Sequence, residues 1–369
     1  MTLSRSFLPL LALLVASSAV AGTIAPGLQA QLDAAGPDDP VRAMVFMRDR
    51  VDVPALDLAL HTQKATLATR HARVINALQD KARATQGDLL ATLDSAVAGG
   101  RVLGYTSYWI VNGVYVVATK DVIVDLAQRD DIEIIEPDVQ PELIKPTEEY
   151  ASPATGIGIT PGVVNVNARR VWDELGIRGE GTIIGSLDTG VDGNHPALAS
   201  RWRGNFAPAS EAWLDVIGTN PSFPVDNNSH GTHTTGTMAG IADDDTIGVA
   251  PAAQWIAANA IDQGVSSGFD SDVITCFEWF ADPDGDPLTL DDVPDVVQNS
   301  WGVNENFSGY VDCDSRWWSV IDACEAAGVV VTWSAGNEGP GSQTLRSPAD
   351  RATTLYNCFS VGSTQYYAP

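Results

Sequence analysis

From Asn167 onward, short apolar runs alternate with helical stretches, and that alternation restricts the fold more than any other feature of the chain. Thr182–Leu187, Gln254–Ile261, Val296–Trp301, Val329–Trp333 and Cys358–Val361 read as strands. Helical patterns separate most of them, including Ser271–Phe280 and Trp317–Ala327. Strands that are apolar at successive positions bury both faces. Strand–helix alternation of this kind argues a doubly wound parallel sheet with helices on both sides. In such a sheet, ligands meet the carboxyl ends of the strands.

A smaller α+β unit precedes it. Val41–Arg48, Val102–Ile110, Val114–Thr119 and Ile132–Pro137 are strand candidates. Pro54–Ala98, with Leu60, Leu67, Val74 and Leu78 near heptad spacing, reads as one long amphipathic helix, and Asp121–Gln128 as a second. Asn112-Gly113 suits a tight reversal between the middle strands. The order βαββαβ is ferredoxin-like. His61 and His71 fall on the long helix and are expected to be solvated. Residues 141–165, with Pro141, Pro146, Pro153 and Pro161, read as a linker without regular structure.

Residues 1–21 have the pattern of an export signal. Arg5 is the positive residue, Phe7–Val15 the apolar segment, and Ala19-Val20-Ala21 a small-residue cleavage site. The apolar segment is too short for a membrane anchor. The expected location is therefore extracellular or periplasmic. Residues 163–369 carry 28 acidic side chains against 8 arginines, and no lysine follows Lys145. That surface repels nucleic acid and anionic lipid, so neither is expected as a partner. All four cysteines, Cys276, Cys313, Cys324 and Cys358, lie in the C-terminal part. Their spacing fits no zinc pattern. Disulfides, or two buried thiols beside one bridge, are both compatible with export.

Three segments concentrate the chemistry. Ser186-Leu187-Asp188-Thr189-Gly190-Val191-Asp192 ends an apolar strand on a carboxylate. By itself, a strand-end Asp is more often a turn or helix cap than a catalytic group. Ser229-His230-Gly231-Thr232-His233-Thr234-Thr235-Gly236-Thr237-Met238-Ala239-Gly240 opens a helix of small residues. His230 and His233 are spaced to share a metal, but no acidic residue follows as in His-Glu-x-x-His. Ser334-Ala335-Gly336-Asn337-Glu338-Gly339-Pro340 would otherwise pass as a turn. Asp282–Asp292 is acidic enough to suggest calcium. It lacks the spacing and closing Glu of an EF-hand, so a solvated loop is expected there, with no metal and no cofactor.

Together these segments resemble the aspartate, histidine and oxyanion-asparagine motifs of the subtilase family of serine peptidases. Val171-Trp172-Asp173-Glu174-Leu175-Gly176 and Pro294-Asp295-Val296-Val297-Gln298-Asn299-Ser300-Trp301-Gly302 resemble its bacillopeptidase F branch. The resemblance implies a subtilisin-like α/β domain over residues 166–369. It also implies an inhibitory propeptide over residues 22–140, matched best by the Asn112-Gly113 strand and by Ile134-Ile135-Glu136-Pro137-Asp138. It assigns Asp188 as the orienting acid, His230 rather than His233 as the base, and Asn337 as the oxyanion donor. Ser300, Trp301 and Gly302 would pair with a substrate backbone, Gly268 would lie on the opposing edge, and Gly336 would wall the primary pocket. His195 is expected to be structural or near the cleft. Polypeptide substrates and the chain's own propeptide are the implied partners.

The family serine sits in a Gly-Thr-Ser-Met-Ala helix start, C-terminal to all three segments. Ser342, Ser347, Ser360 and Ser363 follow Asn337, and none has a Gly-x-Ser-x-Ala context. The domain is thus expected to be C-terminally incomplete here, and the chain inactive as it stands. Strands Val296–Trp301 and Val329–Trp333 are expected to expose a contiguous apolar patch. The alternative function is a pseudoprotease or a propeptide-type peptidase inhibitor.

Overall fold

The computed structural model describes residues 21–138, 158–243, 245–261, 268–303, 313–352 and 359–363. Of the export signal expected over residues 1–21, residues 1–20 lie outside the described residues, as do residues 141–157 of the linker expected over 141–165. No helix among the described residues is long and apolar enough to cross a membrane.

The N-terminal unit runs β1 (Thr23–Ile24), α1 (Pro26–Ala34), β2 (Pro40–Met47), α2 (Val53–Thr62), α3 (Leu67–Thr85), α4 (Gly87–Ala98), β3 (Val102–Tyr108), β4 (Gly113–Thr119), α5 (Lys120–Leu126) and β5 (Ile132–Pro137). Its sheet has the order β1-β5-β2-β4-β3. The pairs β2–β4, β2–β5 and β3–β4 are antiparallel, and β1 adds in parallel beside β5. Without β1, this is the split βαβ arrangement read from the sequence.

The single helix expected over Pro54–Ala98 is three helices, and local capping explains the breaks. Asp52 starts α2 by accepting the Ala55 N–H at 3.0 Å. Lys64 lies at φ +51°, which no helix tolerates, and the Thr66 hydroxyl then caps α3 through the Thr69 N–H at 3.3 Å. Helices α3 and α4 meet at Gln86, whose buried Nε2 donates to the Tyr108 carbonyl and to Asn112 Oδ1, both at 2.9 Å. Heptad spacing carried no sign of these breaks.

The C-terminal unit runs α6 (Pro161–Asn165), α7 (Ala168–Leu175), β6 (Ile183–Asp188), β7 (Trp213–Asp215), α8 (His230–Ala239), β8 (Ile241–Ala242), β9 (Asp245–Thr246), β10 (Gln254–Asn259), α9 (Phe269–Ala281), β11 (Val296–Asn299), α10 (Trp318–Ala327), β12 (Val330–Ser334) and β13 (Phe359–Val361). Helix α6 occupies the last residues of the expected linker, where Pro161 supplies a pre-set φ at the first helical position. The principal sheet is fully parallel, in the order β13-β12-β11-β6-β10-β7. From β6 the chain builds outward to β7 and β10 on one side, then crosses to β11, β12 and β13 on the other. The carboxyl end of β6 is therefore the topological switch point, where such sheets place their ligands. Every residue of β6 is buried.

Among the described residues, the apolar exposure expected on β11 and β12 falls instead at the β12–β13 edge of the sheet. Val297, Val331 and Trp333 are buried, and exposure falls on Val330, Phe359 and Val361. Trp333 lies in an aromatic cluster with Trp301, whose ring also meets Phe269 and Trp317 edge-on at 5.4 and 5.3 Å. Such pairs contribute roughly 0.5–1.5 kcal/mol each beyond the area they bury. The thiols of Cys276 and Cys324 are free and buried, and that of Cys313 is free and exposed. Cys358 lies outside the described residues.

The two units share one apolar cluster. One face of the N-terminal sheet has its own core, with Leu28, Val45, Leu89, Leu93, Val114 and Ile123. The other face contributes Met44, Phe46 and Tyr115 to a cluster that continues through Val74, Ile75 and Leu78 of α3 into the parallel-sheet unit. This placement corrects the expectation for His71. It points from α3 into the junction and is fully buried, whereas His61 is exposed.

Candidate active site

Asp188 ends β6 with 2% of its surface exposed, and His230 is the first residue of α8. Their side chains meet with His230 Nδ1 at 2.7 Å from Asp188 Oδ1. Oδ1 also accepts the Thr189 N–H at 2.8 Å, while Oδ2 accepts the Thr234 hydroxyl at 3.1 Å and Gln298 Nε2 at 3.3 Å. The carboxylate is thus saturated with donors, and its orientation is set by four residues on α8, β11 and the turn after β6. The hydrogen bond to Asp188 raises the His230 pKa above its ordinary value, against the opposing effect of burial.

Helix α8 is held where this contact requires it. The Asp226 carboxylate accepts the N–H groups of Asn228, Ser229 and Thr232, the Thr232 hydroxyl and the Thr189 hydroxyl. Thr189 Oγ in turn accepts the Gly231 N–H at 3.0 Å. Gly231 has no room for a side chain, since a Cβ would fall 2.0 Å from the Gly190 carbonyl oxygen. The small residues after His230 thus permit the helix to touch the turn that carries Asp188. His233 is exposed on α8 and makes no such contact. Among the described residues, no three His, Cys, Asp or Glu side chains are arranged to hold a metal ion. His195 is half-buried in the turn after β6, where its Nδ1 accepts the Ala197 N–H at 3.3 Å.

Asn337 follows β12 and is exposed, its backbone N–H donating to Glu338 Oε2 at 2.9 Å. Gly336 lies at φ +97°, and a Cβ there would meet Glu338 and Arg346. Gly302 packs against the same arginine, and a Cβ there would lie 3.1 Å from the Arg346 Cβ. The structure therefore brings Gly302 and Gly336 together around buried Arg346, whose Nε donates to both oxygens of Glu338 at 2.9 and 2.7 Å. That pairing holds the Glu338 carboxyl below the usual carboxylate range. Ser300 is half-buried beside them. The Trp301 side chain belongs to the aromatic core, so only its backbone is available to a ligand. Gly268 precedes α9 next to the Tyr115 hydroxyl, 3.3 Å from where a Cβ would lie. Of its expected edge, residues 265–267 lie outside the described residues, and Phe269 is already helical.

Sequence reasoning missed the residues that support the site. Gln298 stands on β11 beside Ser186, to which its Nε2 donates at 3.0 Å. Its signal was a single amide within an apolar strand. Asp226, Thr234 and the Arg346–Glu338 pair carried no signal beyond residue type.

A parallel-sheet switch point that presents a hydrogen-bonded Asp–His pair belongs to a recognisable class. The sequence model of the subtilase family matches residues 179–368, and the chain belongs to that family of serine peptidases. Within it, the chain falls in the bacillopeptidase F branch. It is 34% identical over 319 residues to bacillopeptidase F of Bacillus subtilis (strain 168), covering 80% of this chain and 21% of that protein. A subtilisin-like protease of Coccidioides posadasii (strain C735) is 27% identical over 75% of this chain and 61% of its own length. Subtilisin E of Bacillus subtilis (strain 168) is 28% identical over 53% of this chain and 44% of its own. The chain thus spans about a fifth of bacillopeptidase F and under two thirds of the other two. The crystal structure of the epidermin leader peptide processing serine protease from Staphylococcus aureus shares the fold. Its TM-score is 0.51 at 14% identity, covering 88% of this chain and 70% of that one.

Proposed function

We propose that Asp188 and His230 are two members of an Asp-His-Ser triad in an exported endopeptidase, and that Asn337 is its oxyanion donor. The observation that carries this reading is the 2.7 Å contact between His230 Nδ1 and Asp188 Oδ1 at the carboxyl end of β6. With Nδ1 bound to the carboxylate, Nε2 is the nitrogen left for a serine hydroxyl. Attack of that hydroxyl on a peptide carbonyl would pass its proton to His230, and Asp188 would stabilise the imidazolium. The proton would leave with the amine, and water would release the acyl-enzyme. The Asn337 amide would contribute about 2.7–4 kcal/mol to the tetrahedral state, a figure that comes from subtilisin itself. The substrate would lie extended between Ser300–Gly302 and Gly268, with one side chain directed toward Gly336.

Residues 22–140 are, in this reading, a propeptide that occupies the cleft, and residues 1–21 an export signal. Two contacts support it. Strand β5 leads to Asp138, whose Oδ1 accepts the Asp270 N–H at 3.3 Å, two residues from Gly268. The Glu278 carboxylate accepts the N–H groups of Trp109 and Ile110 in the β3–β4 reversal.

Within these 369 residues no serine has the nucleophile context, so this polypeptide by itself is proposed to be inactive. The test is fluorophosphonate labelling of two products, this 369-residue chain and the protein from the complete reading frame. The first should stay unlabelled. The second should label on one serine, and His230→Ala should reduce kcat by about a millionfold, as removal of the histidine does in subtilisin. A reading frame that yields no labelling, and whose product inhibits another subtilase, would favour the inhibitor reading. The separate core of the N-terminal unit is compatible with that alternative.

A further inference from the structure

The N-terminal unit carries two helices that its own core does not use. Helices α1, α4 and α5 supply Leu28, Leu93 and Ile123 to that core, and no residue of α2 or α3 belongs to it. On α3, Leu67, Arg70, His71, Val74, Ile75 and Leu78 recur at helical spacing along one face. Val74, Ile75 and Leu78, with Leu60 of α2, are buried in the cluster that holds Val320, Ile321 and Cys324 of α10. Further along α3, Gln79 Nε2 donates at 3.3 Å to Asp282, which was expected in a solvated loop and is 7% exposed. The α2–α3 hairpin is thus shaped by the parallel-sheet unit and not by the sheet it is attached to.

The contact is most specific at the last turn of α10. Gly328 closes that helix at φ +118°, its N–H donating to the Cys324 and Glu325 carbonyls. A left-handed cap of this kind leaves other carbonyls of the last turn in need of donors. The Ala326 carbonyl accepts Arg70 Nη1 at 3.2 Å, and the fully buried His71 lies against the Ala327 carbonyl. Arg70 is 8% exposed and is paired with Asp57 of α2. A cation at a helix C-terminus also meets the negative end of the helix dipole. Leu67 closes on Gly328 so tightly that a Cβ there would fall 2.3 Å from Leu67 Cδ1.

This contact is far from the Asp188–His230 pair. Helix α10 leads directly into β12, so its last turn lies at the amino end of that strand. Strands β6, β11 and β12 are parallel, and Asp188 stands at the carboxyl end of β6. We propose that the α2–α3 hairpin is a recognition element directed at the C-terminal turn of α10. The partner it fits is a parallel-sheet domain in which that helix ends in two small residues and a left-handed glycine, as Ala326-Ala327-Gly328 does here. The N-terminal unit thereby tells its own domain from others at the end of the sheet opposite the cleft. The assignment is independent of whether Asp188 and His230 are catalytic, and of whether residues 22–140 act as a propeptide or as an inhibitor.

The experiment uses the full chain with a site-specific protease sequence placed within residues 141–157, cut after the chain has folded. The cut wild type should remain one particle in size-exclusion chromatography, and exchange against a labelled copy gives the rate at which its two parts separate. Arg70→Ala should speed separation about tenfold or more, the loss of a hydrogen bond from a charged donor. Arg70→Lys, which keeps the cation at the helix end, should recover part of that loss. Leu67→Ala should speed separation severalfold. Gly328→Ala should speed it strongly in the wild type and about fivefold less in the Leu67→Ala background, because the strain of a side chain at positive φ is common to both and cancels. Thermal melts of the uncut chains confirm folding, and if Gly328→Ala does not fold, the Arg70 and Leu67 variants decide the question. Spontaneous separation of the cut wild type, wild-type rates in Arg70→Ala and Leu67→Ala, or additive effects of Leu67→Ala and Gly328→Ala would overturn the assignment.

Discussion

The Glu278 carboxylate on α9 accepts the backbone N–H of Trp109 at 2.8 Å, across the junction between the two units. The same oxygen accepts the Ile110 N–H at 3.0 Å, and burial pushes the Glu278 carboxyl up to about 7. Both N–H groups belong to a reversal that has no ladder partner for them. Glu278→Ala should therefore destabilise the chain by about 2–4 kcal/mol, the cost of orphaning two donors that bind a charged acceptor. Glu278→Gln, which keeps an acceptor oxygen, should cost less. Denaturant melts of the three proteins measure the difference. Equal stability of all three would place the docking energy in the shared apolar cluster alone.

His71 gives the junction a pH dependence. It is fully buried, and burial lowers its pKa from the ordinary 6.5, while the Ala327 backbone carbonyl and the charge of Asp284 pull weakly the other way. Neither ring nitrogen makes a well-formed hydrogen bond. The folded state therefore prefers the neutral ring, and the unfolded state binds more protons below pH 6.5. Stability from this group is complete above that value and is lost as pH falls toward the lowered folded pKa. Melting temperatures from pH 8 to 5 should decline, and His71→Leu should flatten the acid side of that curve. A wild-type decline identical to that of the variant would assign it to other groups.

His230 shifts in the opposite sense. The Asp188 hydrogen bond raises its pKa, so the folded state holds the proton more tightly, and the associated stability is lost as pH rises through the raised value. The neutral ring that the proposed mechanism needs is populated above it. Proton NMR titration of the 369-residue chain should place the His230 midpoint above 6.5, and Asp188→Asn should return it toward or below that value. An unshifted midpoint in the wild type would mean that the pair is not formed in solution.

Gly231→Ala tests the close approach of α8 to the Asp188 turn. The added methyl would overlap the Gly190 carbonyl oxygen at 2.0 Å and approach Asp188 Cβ at 3.1 Å. Both obstacles are rigid, so the helix start must move. The substitution should cost about 1–3 kcal/mol or more, the range for overpacking, and should abolish the raised His230 pKa. Retention of that pKa would mean that the turn yields instead of the helix.

The parallel sheet was legible because its strands are apolar at successive positions. Ile183–Asp188 and Gln254–Asn259 fall within a residue or two of where that pattern put them. The short strands β7, β8 and β9 were not, since two or three residues carry no periodicity. Asp188, His230 and Asn337 stood out because each stands in a long run of small and polar residues that few other contexts require. Gln298, Thr234 and Asp226 did not, because a lone polar residue looks the same whether it faces solvent or a buried carboxylate.

By itself the sequence determined the class of sheet and the family, and it singled out the two residues proposed as acid and base, all from residues adjacent along the chain. Tertiary structure alone decided what distant residues do to one another. It turned His71 and Asp282 from expected solvent-facing groups into buried ones, placed the Trp301 ring in the core, and set Arg346 behind Gly336. The physical reason is that burial and charge neighbourhood depend on how α3, α9 and α10 pack against one another, and no local pattern of polarity encodes that packing.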